Sequence, residues 1–401
     1  MGIISLSDAR QSIEDMIYDQ GTFAQKANAA QRTLFTERAL PAQRTLFAER
    51  ASDTERALPQ GKRPFLLLEG EALAVLRFFP TASIDCVMTS PPYWNQREYA
   101  SADAIGGEAS REAYIEALLA VFGEVKRVLK PCGSFWLNLG DTYKNKNLCG
   151  MPWRVAIALQ DSQGWILRNS IVWNKQKGAP DNSKDKLRNI HEYVFHFVKQ
   201  KKYYYEVNSI RNAPKAASIQ NGRVVTATGV TGVKYRRQIK RSTSLTSQEK
   251  QLALQALDET LAKVANGELP DFRMVIRGQQ RVTHSSSTKV SGRAKELEEK
   301  GYYILPYHKK GSKPSDVWEI IPEDSWRKDS HAAPFPEELC HIPIKASCPE
   351  NGIVLDPFVG TGTTVLAALK LCRRGIGIDL SREYLEVASD RLSGHPLKAG
   401  H

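Results

Sequence analysis

Two short stretches of the sequence hold residue types whose spacing suits group chemistry. The first is Val354-Leu355-Asp356-Pro357-Phe358-Val359-Gly360-Thr361-Gly362-Thr363-Thr364. An apolar run ends in an acid and a Gly-x-Gly turn then opens a helix, the arrangement in which the carboxyl end of a strand receives a nucleotide-like ligand. Asp356, Phe358, Gly360, Gly362 and Thr363 are the candidate binding residues. A Walker A phosphate loop is excluded, because no Lys follows Gly362. Asp379 closes the next apolar run, where a carboxylate accepts hydrogen bonds from both hydroxyls of a ribose. The second stretch is Thr89-Ser90-Pro91-Pro92-Tyr93-Trp94. Its prolines leave carbonyls that no following N–H pairs within the turn. Ser90 adds a hydroxyl and Tyr93 a flat face, so the group can hold an exocyclic amino nitrogen by two hydrogen bonds and stack on its ring. An ordinary proline-stiffened turn has the same residues.

Both stretches need strands to present them. From Pro64 onward, short apolar runs alternate with amphipathic segments, the pattern of a parallel sheet with crossover helices. Strands are predicted at 65–68, 84–89, 134–138, 165–173, 193–198, 353–356 and 375–379. Helices are predicted at 111–129, with a stripe of Ile115, Leu118, Leu119 and Phe122, and at 152–161, 337–346, 363–371 and 382–392. The fold class is therefore α/β, one doubly wound, mostly parallel sheet. Its halves, 61–200 and 316–395, flank an insertion at 201–315. Residues 1–60 form a separate zone in which Ala-Gln-Arg-Thr-Leu-Phe recurs at 30–35 and 42–47, and Pro41 and Pro59 break the helix formers. They read as a low-complexity arm or short helices with no catalytic part.

The chain has 401 residues, 41% hydrophobic and 25% charged, ordinary for a soluble globular protein. No apolar run approaches the roughly 18 to 20 residues of a membrane span, and no secretory signal stands at the start, so a cytoplasmic location is expected. The six cysteines form no CxxC pair, which argues against a zinc ribbon or a disulfide framework. Charge is uneven. Residues 199–313 carry 23 Lys and Arg against 9 Asp and Glu, whereas the rest of the chain carries 33 against 35. A basic block interleaved with Tyr and Ser suits a nucleic-acid partner. Arg236, Arg237, Arg277 and Arg281 are its candidate contacts. A solvated basic surface is the plainer reading.

Ser-Pro-Pro-Tyr-Trp after an apolar strand, together with Asp-Pro-Phe-x-Gly-Thr-Gly-Thr-Thr, resembles the amino-group DNA methyltransferases that use S-adenosylmethionine. Because the Ser-Pro-Pro-Tyr element comes first, the order resembles the permuted beta class. The resemblance covers roughly 64–200 and 316–393 and includes Gly70-Glu71-Ala72-Leu73, Leu137-Asn138-Leu139-Gly140-Asp141, Asn189-Ile190-His191-Glu192-Tyr193 and the segment from His331 to Leu339. It implies a Rossmann-like catalytic domain and a target recognition domain in the basic insertion. It places Glu71 near the cofactor adenine, where Asp is usual, and Pro334 and Phe335 at the methionine end. It implies no metal. Ser90, Pro91, Pro92 and Tyr93 become the catalytic group, acting on a base flipped out of double-stranded DNA. A Ser at that position goes mostly with cytosine N4 and an Asp with adenine N6, so N4 is expected and N6 is the alternative. A cognate restriction endonuclease would be a separate chain.

Other readings fit less of the sequence. An oxidoreductase would lack its third-glycine spacing and leave Ser90–Trp94 without a purpose. Pro131-Cys132 could mimic a cytosine C5 nucleophile, but is expected in a helix-to-strand turn. Pro270-Asp271 with Glu298-Glu299-Lys300 loosely matches a nuclease, although its second half reads as a solvent-facing helix. RNA as substrate, and a silent nucleic-acid-binding protein, stay open, as do monomer or dimer and the recognition sequence.

Overall fold

A computed structural model of the chain describes residues 3–5, 9–18, 64–95, 105–178, 181–214, 217–220, 223–226, 228–279, 292–322 and 335–393. The repeats at 30–47, Arg281, and the stretch from His331 to Pro334 lie outside these residues. The chain divides into two compact units, Met1–Glu206 with Ser315–His401, and Val207–Pro314.

In chain order the elements are α1 (Ala9–Tyr18), β1 (Phe65–Glu69), α2 (Ala72–Leu76), β2 (Ile84–Thr89), α3 (Arg111–Val128), β3 (Leu129–Leu139), β4 (Tyr143–Lys144), β5 (Asn147–Leu148), α4 (Met151–Gln163), β6 (Ile166–Asn174) and β7 (His191–Val198). The second unit holds β8 (Ser218–Gln220), β9 (Arg223–Val225), α5 (Val233–Arg241), α6 (Ser247–Ala265), β10 (Phe272–Ile276), α7 (Arg293–Lys300) and β11 (Tyr302–Pro306). The first resumes with β12 (Val317–Glu319), α8 (Glu338–Ser347), β13 (Ile353–Asp356), α9 (Thr363–Lys370), β14 (Arg374–Asp379) and α10 (Arg382–Ser393).

One eight-stranded sheet organises the first unit in the order β1-β14-β13-β2-β3-β7-β6-β12. Every pairing is parallel except those that β7 makes with β3 and β6. Both faces are covered, which is why β2 and β13 are mostly apolar and are buried at every residue. Alternate side chains go to opposite faces. Phe135 and Leu137 join Leu118, Phe122 and Val155 of α3 and α4, while Trp136 joins Leu339 and Ile344 of α8. Because β7 alone is reversed, its first residues, His191 and Glu192, stand at the same edge as the carboxyl ends of the other strands.

Three local expectations change. The buried stripe of α3 is Tyr114, Leu118, Val121, Phe122, Val125 and Val128, with Ile115 and Leu119 only flanking it, and Ser110 caps the helix by accepting from Ala113 N at 3.1 Å. No turn separates α3 from β3: the strand begins at Leu129 and takes in Pro131 and Cys132. Leu129 pairs with Ile84 at the start of β2 while Leu137 pairs with Thr89 at its end. Cys132 therefore sits at the far edge of the sheet from Ser90, which removes the nucleophile reading. The start of the chain also belongs to the fold. Ile4 bridges Leu68 on the free side of β1, and Ala9, Ile13, Met16 and Ile17 are buried in the main core.

The second unit packs α5 and α6 on β10 around Tyr235, Ile239, Leu257, Leu261, Phe272 and Met274. Asp271 is buried at its centre, accepting from Thr228 N, Thr228 Oγ1 and Phe272 N, so the loose nuclease pattern begins on a structural acid. None of the helices among the described residues is long and apolar enough to cross a membrane.

Candidate active site

The two chemistry-bearing stretches leave neighbouring strands, β13 and β2, and are tied together at once. Asp356, 1% exposed, accepts from Thr89 Oγ1 at 2.5 Å, Thr364 Oγ1 at 2.6 Å and Phe358 N at 3.0 Å. Burial pushes its carboxyl up to about 6 against those three donors. Asp356 is thus a strut inside the loop that fixes its entry and joins it to the strand carrying Ser90. Beyond it, Gly362 takes a φ of +84° and leads into α9, where no side chain caps the helix. A Cβ there would stand 3.0 Å from the Cβ of Ala388, so a glycine is required twice over. Asp379, at the end of β14, accepts from Gly360 N at 2.8 Å and Ser381 N at 2.9 Å, and burial raises its pKa as well. Arg391 of α10 closes the back of the loop through Thr361 O, Thr361 Oγ1 and Thr363 Oγ1. Sequence reading missed it, because a lone Arg in an amphipathic helix carries no signal.

S-adenosylmethionine, the donor implied by the resemblance, fits this donor and acceptor set. The Asp379 carboxylate takes backbone N–H groups of Gly360, Ser381 and Leu380 and still has a lone pair for a ribose hydroxyl. Space lies open beyond Gly360. Glu71 lies just past β1, the neighbour of β14, but both its oxygens cap α2 through Leu73 N at 2.9 Å and Ala74 N at 2.7 Å. Phe358 packs on the main core and Phe335 on the opposite face.

The Ser90 group is held by residues that the motif alone does not contain. Tyr93 Oη donates to Glu192 Oε2 at 2.7 Å. Burial and the Glu192 carboxylate push the Tyr93 hydroxyl well above its usual pKa, so it stays protonated. Ser90 Oγ lies 3.0 Å from Tyr93 Oη and 3.2 Å from Asn138 Nδ2. With the tyrosine proton committed to Glu192, Ser90 donates to Tyr93 and turns a lone pair outward. The two hydrogens of the Asn138 amide go to its nearer acceptors, Tyr93 Oη at 2.9 Å and Glu192 Oε2 at 2.8 Å. Lys175, just after β6, pairs with Glu192 Oε1 and lies over Trp173. Gly140 lets the Tyr93 ring lie against the end of β3, since a Cβ would come within 2.7 Å of Tyr93 Cε2. The two proline carbonyls differ. Tyr114 Oη donates to Pro92 O at 2.9 Å, whereas Pro91 O has no partner among the described residues. The site thus presents two acceptors, Ser90 Oγ and Pro91 O, one residue apart. Asn138, Glu192 and Lys175 have a faint signal in the sequence, as polar residues at the ends of otherwise apolar strands.

In the second unit, Arg237 is exposed on α5 and makes no ion pair among the described residues, while Arg236 pairs with Asp258 of α6. Arg277 is a clamp: it donates to the carbonyls of Ser244, Leu297 and Glu298 and, bidentately, to Glu249 at 2.8 Å. Its donors are engaged within the unit, which is a structural task.

Known proteins resemble this chain along most of its length. The family described as DNA methylase, N6 and N4 type, matches residues 84–390. The Type II methyltransferase M.SfiI of Streptomyces fimbriatus is 31% identical over 379 residues, spanning 80% of this chain and 89% of its own length. M.XycI of Xanthomonas campestris pv. cyanopsidis, also a Type II methyltransferase, is 29% identical over 357 residues, spanning 82% and 87%. The solved PvuII DNA methyltransferase (cytosine-N4-specific) shares the fold, with a TM-score of 0.51 at 18% identity over 82% of this chain and 86% of that one. With a family match across most of its length and Type II methyltransferases aligned along four-fifths of it, this chain belongs to the N6/N4 amino-group DNA methylases, of restriction-modification type.

Proposed function

We propose that the chain methylates the exocyclic N4 of a cytosine extruded from duplex DNA, with S-adenosylmethionine as donor, as the modification partner of a separate restriction endonuclease. The observation that carries this reading is the pair of acceptors with lone pairs to spare, Ser90 Oγ and Pro91 O, tied to the glycine loop through Thr89 and Asp356. An exocyclic amino nitrogen is a poor nucleophile because its lone pair is delocalised into the ring. Two acceptors draw its hydrogens aside and pull it toward tetrahedral geometry, and Tyr93 offers a ring to stack on. When bound, the cofactor supplies a methyl group on a sulfonium. Holding the nitrogen in line with that group is worth up to about 7 to 11 kcal/mol in favourable cases. The alkylated nitrogen is acidic, so no strong base is needed. Leaving the helix costs the base a few kcal/mol of stacking and pairing. The neutral hydroxyl at Ser90, rather than a carboxylate, supports N4 over N6.

The test is to express the gene in a methylation-free bacterial host and sequence the host DNA for modified bases. N4-methylcytosine in a fixed motif is expected. Ser90→Ala removes one of the two acceptors and is expected to slow marking by roughly 10² to 10³-fold, the cost of losing one polar group aimed at a reacting centre. N6-methyladenine in the motif would overturn the choice of base. Unmodified DNA, from a protein that still binds labelled S-adenosylmethionine, would point to RNA.

The second unit is the proposed target recognition domain, and α5 is its foremost contact. Tyr235 and Ile239 anchor that helix, while Lys234, Arg237, Lys240 and Arg241 are exposed and make no ion pair among the described residues. Like charges at spacings of three and four destabilise a helix by about 0.2 to 0.5 kcal/mol per pair, a cost that a polyanion reverses. Replacing Arg237 and Lys240 by Glu is expected to lower the slope of log affinity against log salt by about 2, from the loss of two phosphate contacts. Fluorescence anisotropy across a salt series measures it. An unchanged slope would move the contact elsewhere.

A further inference from the structure

Most of the basic block of the sequence lies in the second unit, and the chain outside that block is nearly neutral. Beside the Ser90 site, however, the first unit carries its own cationic edge. The β4–β5 hairpin and residues 181–190 meet there. Lys146 pairs with Asp185 at 3.2 Å, Lys186 pairs with Asp181 and lies 4.9 Å from the Tyr143 ring centroid, and Lys144 lies 4.7 Å from that of Trp94, the residue after Tyr93. At the base, Lys175 N donates to Ile190 O at 2.9 Å, next to Glu192. The two acids are thus matched by Lys146 and Lys186, which leaves Lys177, Lys184 and Arg188 exposed and without an ion pair among the described residues. Between Lys186 and Arg188 stands Leu187, 90% exposed, the most exposed large apolar side chain among the described residues. An apolar tip set between cations, on a segment braced from below, matches a phosphate backbone with a base stack behind it.

We propose that this edge grips the duplex beside the active site, with Leu187 entering the base stack where the target nucleotide leaves it and Lys184 and Arg188 lying on the flanking phosphates. A wedge of this kind lowers the cost of extrusion by refilling the stack with apolar surface. The proposal rests on the reading of the chain as a methyltransferase acting on a base in duplex DNA. It adds a contact surface that the basic insertion does not contain.

Leu187 is exposed, so its replacement leaves the core untouched. Once the parent enzyme has marked host DNA and so defined its target, methyl transfer is measured on two oligonucleotide duplexes, one fully paired and one with the target base opposite an abasic site. Leu187→Ser is expected to slow transfer about tenfold or more on the paired duplex and to stay within about twofold of the parent on the other, because extrusion from the second is already cheap. Leu187→Phe is expected to keep the paired rate. Replacing Lys184 and Arg188 by Ala is expected to weaken both duplexes alike and to lower the salt slope by about 2. Equal slowing by Leu187→Ser on both duplexes, or a paired rate within twofold of the parent, would overturn the wedge. A parent enzyme that marks no duplex DNA would remove the underlying reading, and the wedge with it, before any variant is made.

Discussion

Glu192→Ala is expected to lower kcat by on the order of 10² to 10³-fold and to destabilise the fold by about 3 kcal/mol. The rate effect follows from the direction of the Ser90 proton. In the parent, Glu192 Oε2 takes the Tyr93 proton at 2.7 Å, which obliges Ser90 to donate toward Tyr93 and leaves its lone pair for the substrate. Without the carboxylate, Tyr93 and Asn138 can both donate to Ser90, and the outward acceptor is lost along with the position of the ring. Misdirecting one polar group aimed at a reacting centre costs roughly 10² to 10³-fold. The stability effect has a different origin. The Lys175 side chain is 28% exposed, beside a Glu192 side chain only 10% exposed. Removing one partner of a buried pair costs about 3 to 5 kcal/mol, and the partial exposure of Lys175 places this case at the lower end. The two effects separate in the double variant Glu192→Gln with Lys175→Met. Gln keeps an acceptor for Tyr93, and Met removes the stranded charge. Thermal melts are expected to recover most of the loss, and single-turnover transfer is expected to return to within about tenfold of the parent. A Glu192→Ala enzyme with a kcat within threefold of the parent would mean that Tyr93 and Ser90 hold their directions without it.

How far such a site is legible in the sequence depends on how local its parts are. The strand at 353–356, the glycine turn and the helix from Thr363 are consecutive residues, and each states its own conformation through an apolar run, a positive φ and an uncapped helix start. The same holds for β2 and the prolines that end it. Glu192 and Asn138 are 54 residues apart and meet because β7 runs backwards next to β3, a pairing that no local pattern encodes. Arg391 and Arg277 show the other limit. Counting cations treats every Arg alike, but Arg391 clamps the glycine loop and Arg277 holds two helix ends, and only packing tells them from Arg237. The six buried residues of α3 keep Leu118 and Phe122 of the predicted stripe but not Ile115 and Leu119, for a related reason: Ile115 and Leu119 are as apolar as their neighbours, and the sheet beneath chooses among them.

The second large effect is one of pH, and it lies in Asp356. Burial raises its carboxyl from 3.8 to about 6, against the pull of Thr364, Thr89 and the Phe358 N–H. Between those two values the folded chain holds a proton that the unfolded chain has released. Stability from this group is therefore fully present below about 4, falls as pH rises through 4 to 6, and is absent above. At 1.36 kcal/mol per unit, the change is about 3 kcal/mol. Asp356→Asn lacks this titration while keeping an oxygen for Thr89 and Phe358 and offering its amide to Thr364 Oγ1, which can accept. Groups that do not interact with Asp356 titrate alike in both proteins and cancel in the difference, while Asp379, whose charge adds the last-named contribution to the Asp356 shift, changes it only slightly. The stability of Asp356→Asn minus that of the parent is thus expected to rise by about 3 kcal/mol from pH 4 to pH 8, as read by chemical denaturation. A flat difference would mean that the folded carboxyl titrates near its ordinary value. A carboxylate kept ionised at such a cost at neutral pH is an anion fixed under the glycine loop, and S-adenosylmethionine carries a sulfonium cation. Cofactor affinity of the parent is accordingly expected to fall as pH drops through about 6, with the inflection missing in Asp356→Asn. Parallel affinity profiles for the two proteins would confine Asp356 to shaping the loop, with no contribution from its charge.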